Sequence, residues 1–562
     1  MYSQSDCYIL IKMISISKEG ITVMGYYLNN EDAYHKYQEV VYGTYFIDKS
    51  LILTEIIPLI GTSQKYICIT RPRRFGKTTM ANMIGAFFSK ACNSSDIFDS
   101  LAISDYSDYQ IHLNQYNVIY IDFSDMDDAC TDYPSFIGRI KKRLKRDLFE
   151  AYPDIIFDEA STITEDLVYI NQKTKDRFIF ILDEWDVVFN LKFISEEERR
   201  QYLLFLKVLL RDRAYAAFAY MTGILPIAKY SSGTELNNFL EYTMASEEKY
   251  SEYFGFTESE VDLLYFKYSA HTTNPHVTRD GLQSWYNGYH TKSGGQVYNP
   301  RSVIAALMNN NLGNYWTSSG PYDEISYYIS KNVDAIRDDL ALMVSGIPVS
   351  AKIREYAATS MNMSTKDEIF SAMVVYGFLN YENGYVSVPN RELMEKFDEA
   401  LMKEPSLGYV HRLSVNSERM LKATKAGDTA TMTEILEYAH NMETPLLSYN
   451  HEVELTAIIN LVYLAARDSY RLAREDKGGI GYVDFIFYPV IDKGDDCIIL
   501  ELKVDDTAEH AIQQIKDKKY VLAFAPKPGE PVRYTGRRLA VGIGYDKGSK
   551  EHDCKVEVIE CS

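Results

Sequence analysis

Tyr66-Ile-Cys-Ile-Thr70, Arg71-Pro-Arg-Arg-Phe-Gly-Lys-Thr-Thr79 and Met80 to Phe88 form the stretch that decides the fold. The first five residues are apolar or β-branched and read as a buried strand. Met80, Met83, Ile84, Phe87 and Phe88 recur at helical spacing and predict a helix with one apolar face. Between strand and helix lies a short loop ending in Gly76-Lys77-Thr78. Strand, loop and helix N-terminus in that order make an anion site, because unpaired N–H groups point outward and the helix dipole favours negative charge. Arg73, Arg74, Phe75, Gly76, Lys77, Thr78 and Thr79 are therefore the candidate ATP-binding loop. Lys77 would place a point charge on the β/γ-phosphates, and the Thr78 hydroxyl is a candidate Mg²⁺ ligand, as in G-x-x-x-x-G-K-[ST]. Arg71 stands where that pattern has its first glycine. A basic surface turn ahead of a helix is the plain alternative.

Further along, Arg177 to Asn190 contains an uninterrupted apolar run that ends in acids, as expected of a strand covered on both faces. Asp183 at its carboxyl end is expected to hold Mg²⁺, directly or through water, and Glu184 to orient or deprotonate the attacking water. Asn117–Ser124 and Ala216–Gly223 read as further strands alternating with helical stretches. The fold class is thus α/β and multidomain, with a parallel P-loop sheet flanked by helices. Thr222, near the end of the last strand, is placed to sense a γ-phosphate, although a Thr-Gly pair there also reads as a plain turn.

At 562 residues the chain is too long for one core, and domain-size statistics give about three to four units. The pattern divides into an extension over residues 1–23, a nucleotide domain over 24–250, a helical middle over 251–445 and a smaller α/β domain over 446–562. Met24 is an alternative start. Thr257 and Glu260 have the spacing of a capping box that opens the middle region. Its aromatic clusters, Trp285-Tyr-Asn-Gly-Tyr289 and Val297-Tyr-Asn-Pro-Arg-Ser302, read as packing and turn chemistry. The seven cysteines are scattered without a C-x-x-C, which argues against a disulfide framework or a zinc site and for a reducing compartment. No run approaches the ~20 apolar residues of a membrane span, so no membrane association is expected and the cytoplasm is the expected location. Lys12 interrupts the one apolar stretch near the N-terminus, which is unlike a secretory signal. The net charge of −20 argues against a general nucleic-acid coat, because non-specific affinity comes mostly from phosphate neutralisation, and leaves room for a local basic groove. Self-association is compatible with the sequence, but no motif specifies it.

A second chemical site lies near the C-terminus. Gly478 to Val490 and Cys497 to Val504 read as two strands joined by the turn Asp492-Lys-Gly-Asp495. Alternate strand residues share a face, so Glu501 and Lys503 project together while Leu500, Leu502 and Val504 go to the other side. Asp484 on the neighbouring strand can reach the same patch. Asp484 and Glu501 would hold a hard cation, Mg²⁺ or Mn²⁺, through oxygen ligands, and Lys503 would activate water or stabilise charge on a phosphate. Glu454 on the preceding helix, read as Glu452 to Arg467, could orient a ligand, and Gln513 or Gln514 on the following helix could contact water or phosphate. D-(X)n-E-x-K of this kind serves metal-dependent phosphodiester cleavage. A hairpin with a solvated polar face is the plain alternative.

Tyr45-Phe-Ile-Asp-Lys-Ser50, Thr70 to Lys77, Leu182-Asp-Glu184, Thr222-Gly223, Leu236-Asn-Asn238, Phe254-Gly-Phe256, Trp285 to Tyr289 and Tyr298-Asn-Pro300 together resemble the bacterial AAA-ATPase-like family. The resemblance runs from Met24 nearly to the end of the chain. It implies that a P-loop lacking the first glycine is the usual form, so Arg71 is no sign of decay. It further implies a helical, winged-helix-like middle and a C-terminal domain of the PD-(D/E)XK nuclease superfamily, its site falling on Asp484, Glu501, Lys503 and the Gln513-Gln514 helix. The function so implied is Mg²⁺-dependent ATP hydrolysis whose nucleotide state controls a DNA-cutting domain. A regulatory nucleotide switch of the STAND type, with a C-terminal domain that binds nucleic acid or a partner without cutting, is the alternative.

Overall fold

The computed structural model describes residues 14–17, 20–23, 25–126, 128–227, 236–244, 247–316, 324–353, 363–442, 452–478, 481–525 and 534–560. Within the expected N-terminal extension, Ile14–Ser17 and Gly20–Val23 pair as an antiparallel hairpin; Met24 lies outside the described residues.

Five parallel strands form the first sheet: β1 (Tyr66–Thr70), β2 (Asn117–Asp122), β3 (Phe178–Asp183), β4 (Ala216–Gly223) and β5 (Leu240–Tyr242), in the spatial order β2-β3-β4-β1-β5. Alternation explains why β3 is apolar throughout. Phe178, Phe180 and Leu182 pack under the helices Tyr133–Ala151, Ile163–Thr174 and Glu196–Leu210. Ile179 and Ile181 pack on the opposite face with the helix that follows β1, α1 (Lys77–Phe88). Each such side chain contributes roughly 2 kcal/mol by leaving water. The expectation of one apolar face on α1 is corrected by this layering. Ala81, Asn82, Gly85 and Ala86 are buried as well, because the helix Asp32–Val41 covers its outer side.

The middle region opens with the helix Glu258–His271, whose capping box joins the Thr257 and Glu260 side chains to each other's backbone N–H. Two of its helices matter for the site, α2 (Pro300–Asn309) and α3 (Arg391–Lys403). Between them lies a small antiparallel sheet of Val349–Ser350, Tyr385–Ser387 and Asn380–Glu382, so this region is not wholly helical.

The C-terminal region follows with α4 (Glu452–Val462), β6 (Tyr470–Gly478), β7 (Gly481–Pro489), β8 (Cys497–Val504), α5 (Ala508–Asp517), β9 (Arg538–Asp546) and β10 (Glu551–Ile559). The sheet runs β6-β7-β8-β9-β10, and only β8 and β9 are parallel, with α5 in the crossover between them. α4 covers one face, carrying Ile498, Leu500 and Leu502, and α5 covers the other, carrying Ile499. The helix read as Glu452 to Arg467 ends at Val462, and Leu464–Asp468 continues as a 3₁₀ segment.

Candidate nucleotide site and C-terminal carboxylate site

Gly76 takes a left-handed conformation (φ +88°) at the start of α1 and has no side chain to cap the helix, so the first-turn N–H groups are left for a ligand. Arg73, Arg74, Gly76, Lys77, Thr78 and Thr79 line a cavity of about 1140 Å³. Phe75 points the other way. It is buried edge-to-face against Tyr289 at 5.0 Å, and its carbonyl accepts a hydrogen bond from Gly255 N–H at 3.3 Å. Arg71 also faces inward. Its guanidinium donates to the carbonyls of Thr70 (2.8 Å) and Tyr242 (2.9 Å) and lies 5.1 Å from the Phe254 ring. The residue in place of the usual glycine thus ties β1, β5 and the Phe254-Gly-Phe256 segment together beneath the loop.

Because β4 lies between β1 and β3, the acids of β3 face the loop across one strand. Asp183 is fully buried. Its Oδ1 accepts from Glu184 N–H at 3.1 Å, and its Oδ2 is buried without a hydrogen-bond partner. Burial, then the charges of Glu184 and Asp122, push its pKa up to about 7, while the Thr78 hydroxyl and Lys77 ammonium act the other way. Glu184 sits at φ +49° and lines the cavity. Lys77 donates to the Pro72 carbonyl at 3.2 Å. The Thr222 hydroxyl is buried and donates to the Ile69 carbonyl at 2.9 Å, so a γ-phosphate contact would require that bond to break.

Several residues with no assigned role in the sequence reading belong to the site. Asp122 pairs in register with Asp183 and lines the cavity, held there by the Ser124 N–H (2.9 Å) and hydroxyl (2.6 Å). An acid ending a second parallel strand was the available signal. Asp186, buried and pushed up to about 6 by burial and then by Glu184, accepts from the N–H groups of Ile224 (3.0 Å) and Leu225 (2.8 Å). A Cβ at Gly223 would lie 2.3 Å from its Oδ1, which explains the glycine of the Thr-Gly pair. The far wall comes from the middle region, with Arg301 of α2 and Lys396 and Lys403 of α3. Burial, then Arg301 and Arg73, lower the pKa of Arg74, as expected where cations are gathered in one place.

Residues 34–232 match the AAA-ATPase-like family, described as a predicted AAA-ATPase. The chain therefore carries an AAA-ATPase-like P-loop domain. Among solved structures it is similar to a Walker-type ATPase of Pyrococcus abyssi (9% identity over 62% of this chain and 94% of that one, TM-score 0.35). It is also similar to the Aeropyrum pernix ORC2 protein in ADPNP–ADP complexes (10%, 68% and 96%, 0.32) and the ORC1 protein of the same organism in complex with DNA (11%, 66% and 96%, 0.27). No curated protein matches the chain.

Beyond this AAA-ATPase-like domain, the C-terminal sheet brings Asp484, Glu501, Lys503 and Gln514 together. β7 and β8 pair only from Phe485–Leu500 to Phe487–Ile498, and the ladder opens at the next pair, Asp484 and Glu501. There the Asp484 carboxylate accepts the Leu502 N–H at 2.7 Å in place of a backbone partner. Glu501 is 3% exposed. Its Oε1 accepts from Lys503 Nζ at 3.4 Å and from the Gln514 amide, while Oε2 is buried without a hydrogen-bond partner. Burial, then Asp484, push Glu501 up to about 7 against the pull of Lys503. Gln513 turns away to Asp517 (2.8 Å). The side chain of Glu454 lies outside the described residues, and its helix α4 packs on the opposite face of the sheet from Glu501.

Proposed function

We propose that the chain binds Mg²⁺·ATP and hydrolyses it, and that its nucleotide state controls a C-terminal domain that cleaves phosphodiester bonds in DNA. The observation that carries the ATP reading is a single cavity lined by the helix N-terminus at Gly76-Lys77-Thr78, by Asp122 and Glu184, and by basic groups of a second region. Six of its lining residues are cationic against three acids, in a chain whose net charge is −20, so the cavity suits a polyanion. Val40, Ile304, Met308 and Trp316 give it an apolar wall suited to a base. The buried, unpartnered Asp183 Oδ2 beside Thr78 fits a cation, so these two residues would hold Mg²⁺. When bound, Mg²⁺ neutralises charge on the phosphate oxygens. Lys77 and the α1 N–H groups hold the phosphates, and Glu184 orients the attacking water. Lys77→Ala is expected to weaken ATP binding about 100-fold, measured by calorimetry. Unchanged affinity would remove the loop assignment.

The cleavage reading rests on Glu501, whose buried free oxygen opposite Asp484 fits a hard cation, with Lys503 placed to meet a phosphate. Among the described residues no three His, Cys, Asp or Glu side chains converge as metal ligands, so a cation here would complete its shell with water or phosphate oxygens, as Mg²⁺ does. That sparse ligand set equally favours the alternative, a nucleotide switch whose C-terminal domain binds without cutting. Incubating DNA with the protein and Mn²⁺, with and without ATP, separates the two, since only the first reading yields fragments.

A further inference from the structure

α3 touches the nucleotide cavity on one side and the C-terminal region on the other. Lys396, Glu399, Ala400 and Lys403 line the cavity and share one stripe of the helix. Asp398, two residues after Lys396, is turned about 200° away from it. Its carboxylate receives both of its contacts from Arg467 Nη1, at 2.8 and 2.9 Å, in a pair whose side chains are only 14% and 22% exposed. Arg467 lies between α4 and β6, at the root of the C-terminal sheet.

The same arginine ties a second element to this joint. Arg467 Nη2 donates to the Val344 carbonyl at 2.7 Å, and Arg474 of β6 donates to the next carbonyl, Ser345, at 2.7 Å. Both meet the C-terminal end of the helix Val333–Val344, where a cation is favoured by the helix dipole. The Ser345 hydroxyl, which donates to the Ala341 carbonyl at 2.7 Å, also lies 3.1 Å from the Ala457 carbonyl of α4.

At its other end α3 is locked to the cavity wall. Glu392, 1% exposed, accepts from the Ser302 hydroxyl of α2 (2.8 Å) and from the N–H groups of Tyr315 (2.6 Å) and Trp316 (2.7 Å). α2 carries Arg301, and Trp316 lines the cavity, so Glu392 bonds α3 directly to both parts of this wall.

We propose that α3 couples the two sites: Lys396 and Lys403 contact the phosphates of the bound nucleotide, and the Asp398–Arg467 pair on the opposite face passes the resulting shift of α3 to α4 and β6. This rests on the cavity's being an ATP site. A largely desolvated ion pair suits the task because its strength depends on good geometry. Coupling of this kind is reciprocal, so breaking the joint must also change how the cavity answers ATP.

Hydrogen exchange of the full chain, followed in peptides covering residues 464–478 with and without Mg²⁺·ATP, tests it. In the wild type, ATP is expected to change exchange there about fivefold or more. Asp398→Leu/Arg467→Met replaces the partly buried pair with apolar groups of similar size and also removes the Arg467 bond to the Val344 carbonyl, so both ties of that arginine are cut without leaving an unpaired charge. This variant is expected to bind ATP and to lose the response at 464–478. Lys396→Gln/Lys403→Gln is expected to lose it too, while retaining the wild-type melting temperature without nucleotide. A response that survives in Asp398→Leu/Arg467→Met, or wild type that binds ATP with no change at 464–478, overturns the coupling. Folded wild type that binds no ATP overturns the cavity reading and the coupling with it.

Discussion

The chain sets acids on two apolar strands, Asp183 at the end of β3 with Glu184 just after it and Glu501 within β8, and the two strands are paired differently. β3 is paired with β2 through Asp183 and with β4 from Phe178 to Leu182, and its acids face a helix N-terminus across β4, Glu184 lining a cavity walled by another region. β8 is fully paired with β9 but parts from β7 at Asp484, and its acid is buried where the sheet opens. In the first site a large anionic ligand would complete the electrostatics, since cations are gathered around a cavity of about 1140 Å³. In the second the unmet demand is local, one buried carboxylate oxygen with no hydrogen-bond partner. Turnover in the first should therefore depend on a side chain at the cavity surface, and binding in the second on the titration of a buried one.

The sharpest way to break that contrast is Glu184→Gln. The amide keeps size and hydrogen bonding but cannot take a proton, and loss of a general base costs about 10³-fold in rate. ATP affinity should stay within a few-fold of wild type if Glu184 acts, as proposed, on water and not on phosphate. Phosphate release under single-turnover conditions reads the first quantity and calorimetry the second. Hydrolysis at the wild-type rate would hand the role to Asp122, the cavity acid that ends the neighbouring strand β2.

A smaller effect is expected at Glu501. Its folded-state pKa is raised from the ordinary glutamate value of 4.5 to about 7, so the neutral acid is the favoured form inside the protein. The stability that follows is fully present below 4.5 and is lost as pH rises through 7. A cation needs the carboxylate, so Mn²⁺ affinity should rise about tenfold between pH 6 and pH 8. Glu501→Gln should remove that rise and leave the contribution of Asp183, which titrates in the same range. A pH-independent affinity in the wild type, or the same rise in Glu501→Gln, would mean that Glu501 holds no metal.

What could be read in the chain and what could not follow from the range of the signals. The strands of the first sheet, the Gly-Lys-Thr turn and the E-x-K pair are local patterns, set by side chains within a few residues of each other. Asp122 needed the register of β2 against β3, and Arg301, Lys396 and Lys403 needed the approach of helices far along the chain. Trp285 to Tyr289 was legible as packing but not for what it packs. Tyr289 holds Phe75 of the loop, and Gly288, at φ +101°, has room for no Cβ because one would lie 1.8 Å from the Pro389 carbonyl oxygen. The choice of Gln514 over Gln513 was equally invisible, since neighbouring helix positions point about 100° apart and only the sheet decides which one faces Glu501.

The smallest expected effect concerns the loop's first residue. If the missing glycine were a loss, Arg71→Gly would restore an ordinary loop and tighten ATP binding. The structure argues the reverse. The Arg71 side chain is 2% exposed, bonded to two carbonyls on different strands and laid against Phe254, and its backbone needs no left-handed conformation. Removing it leaves the Tyr242 carbonyl short of a donor and adds freedom to the unfolded chain. Arg71→Gly should cost about 1 kcal/mol and lower the melting midpoint by roughly 3 °C, with ATP affinity unchanged or weaker. An unchanged midpoint with tighter ATP binding would show that Arg71 burdens the loop and that the two acid-bearing strands differ less in their surroundings than their packing suggests.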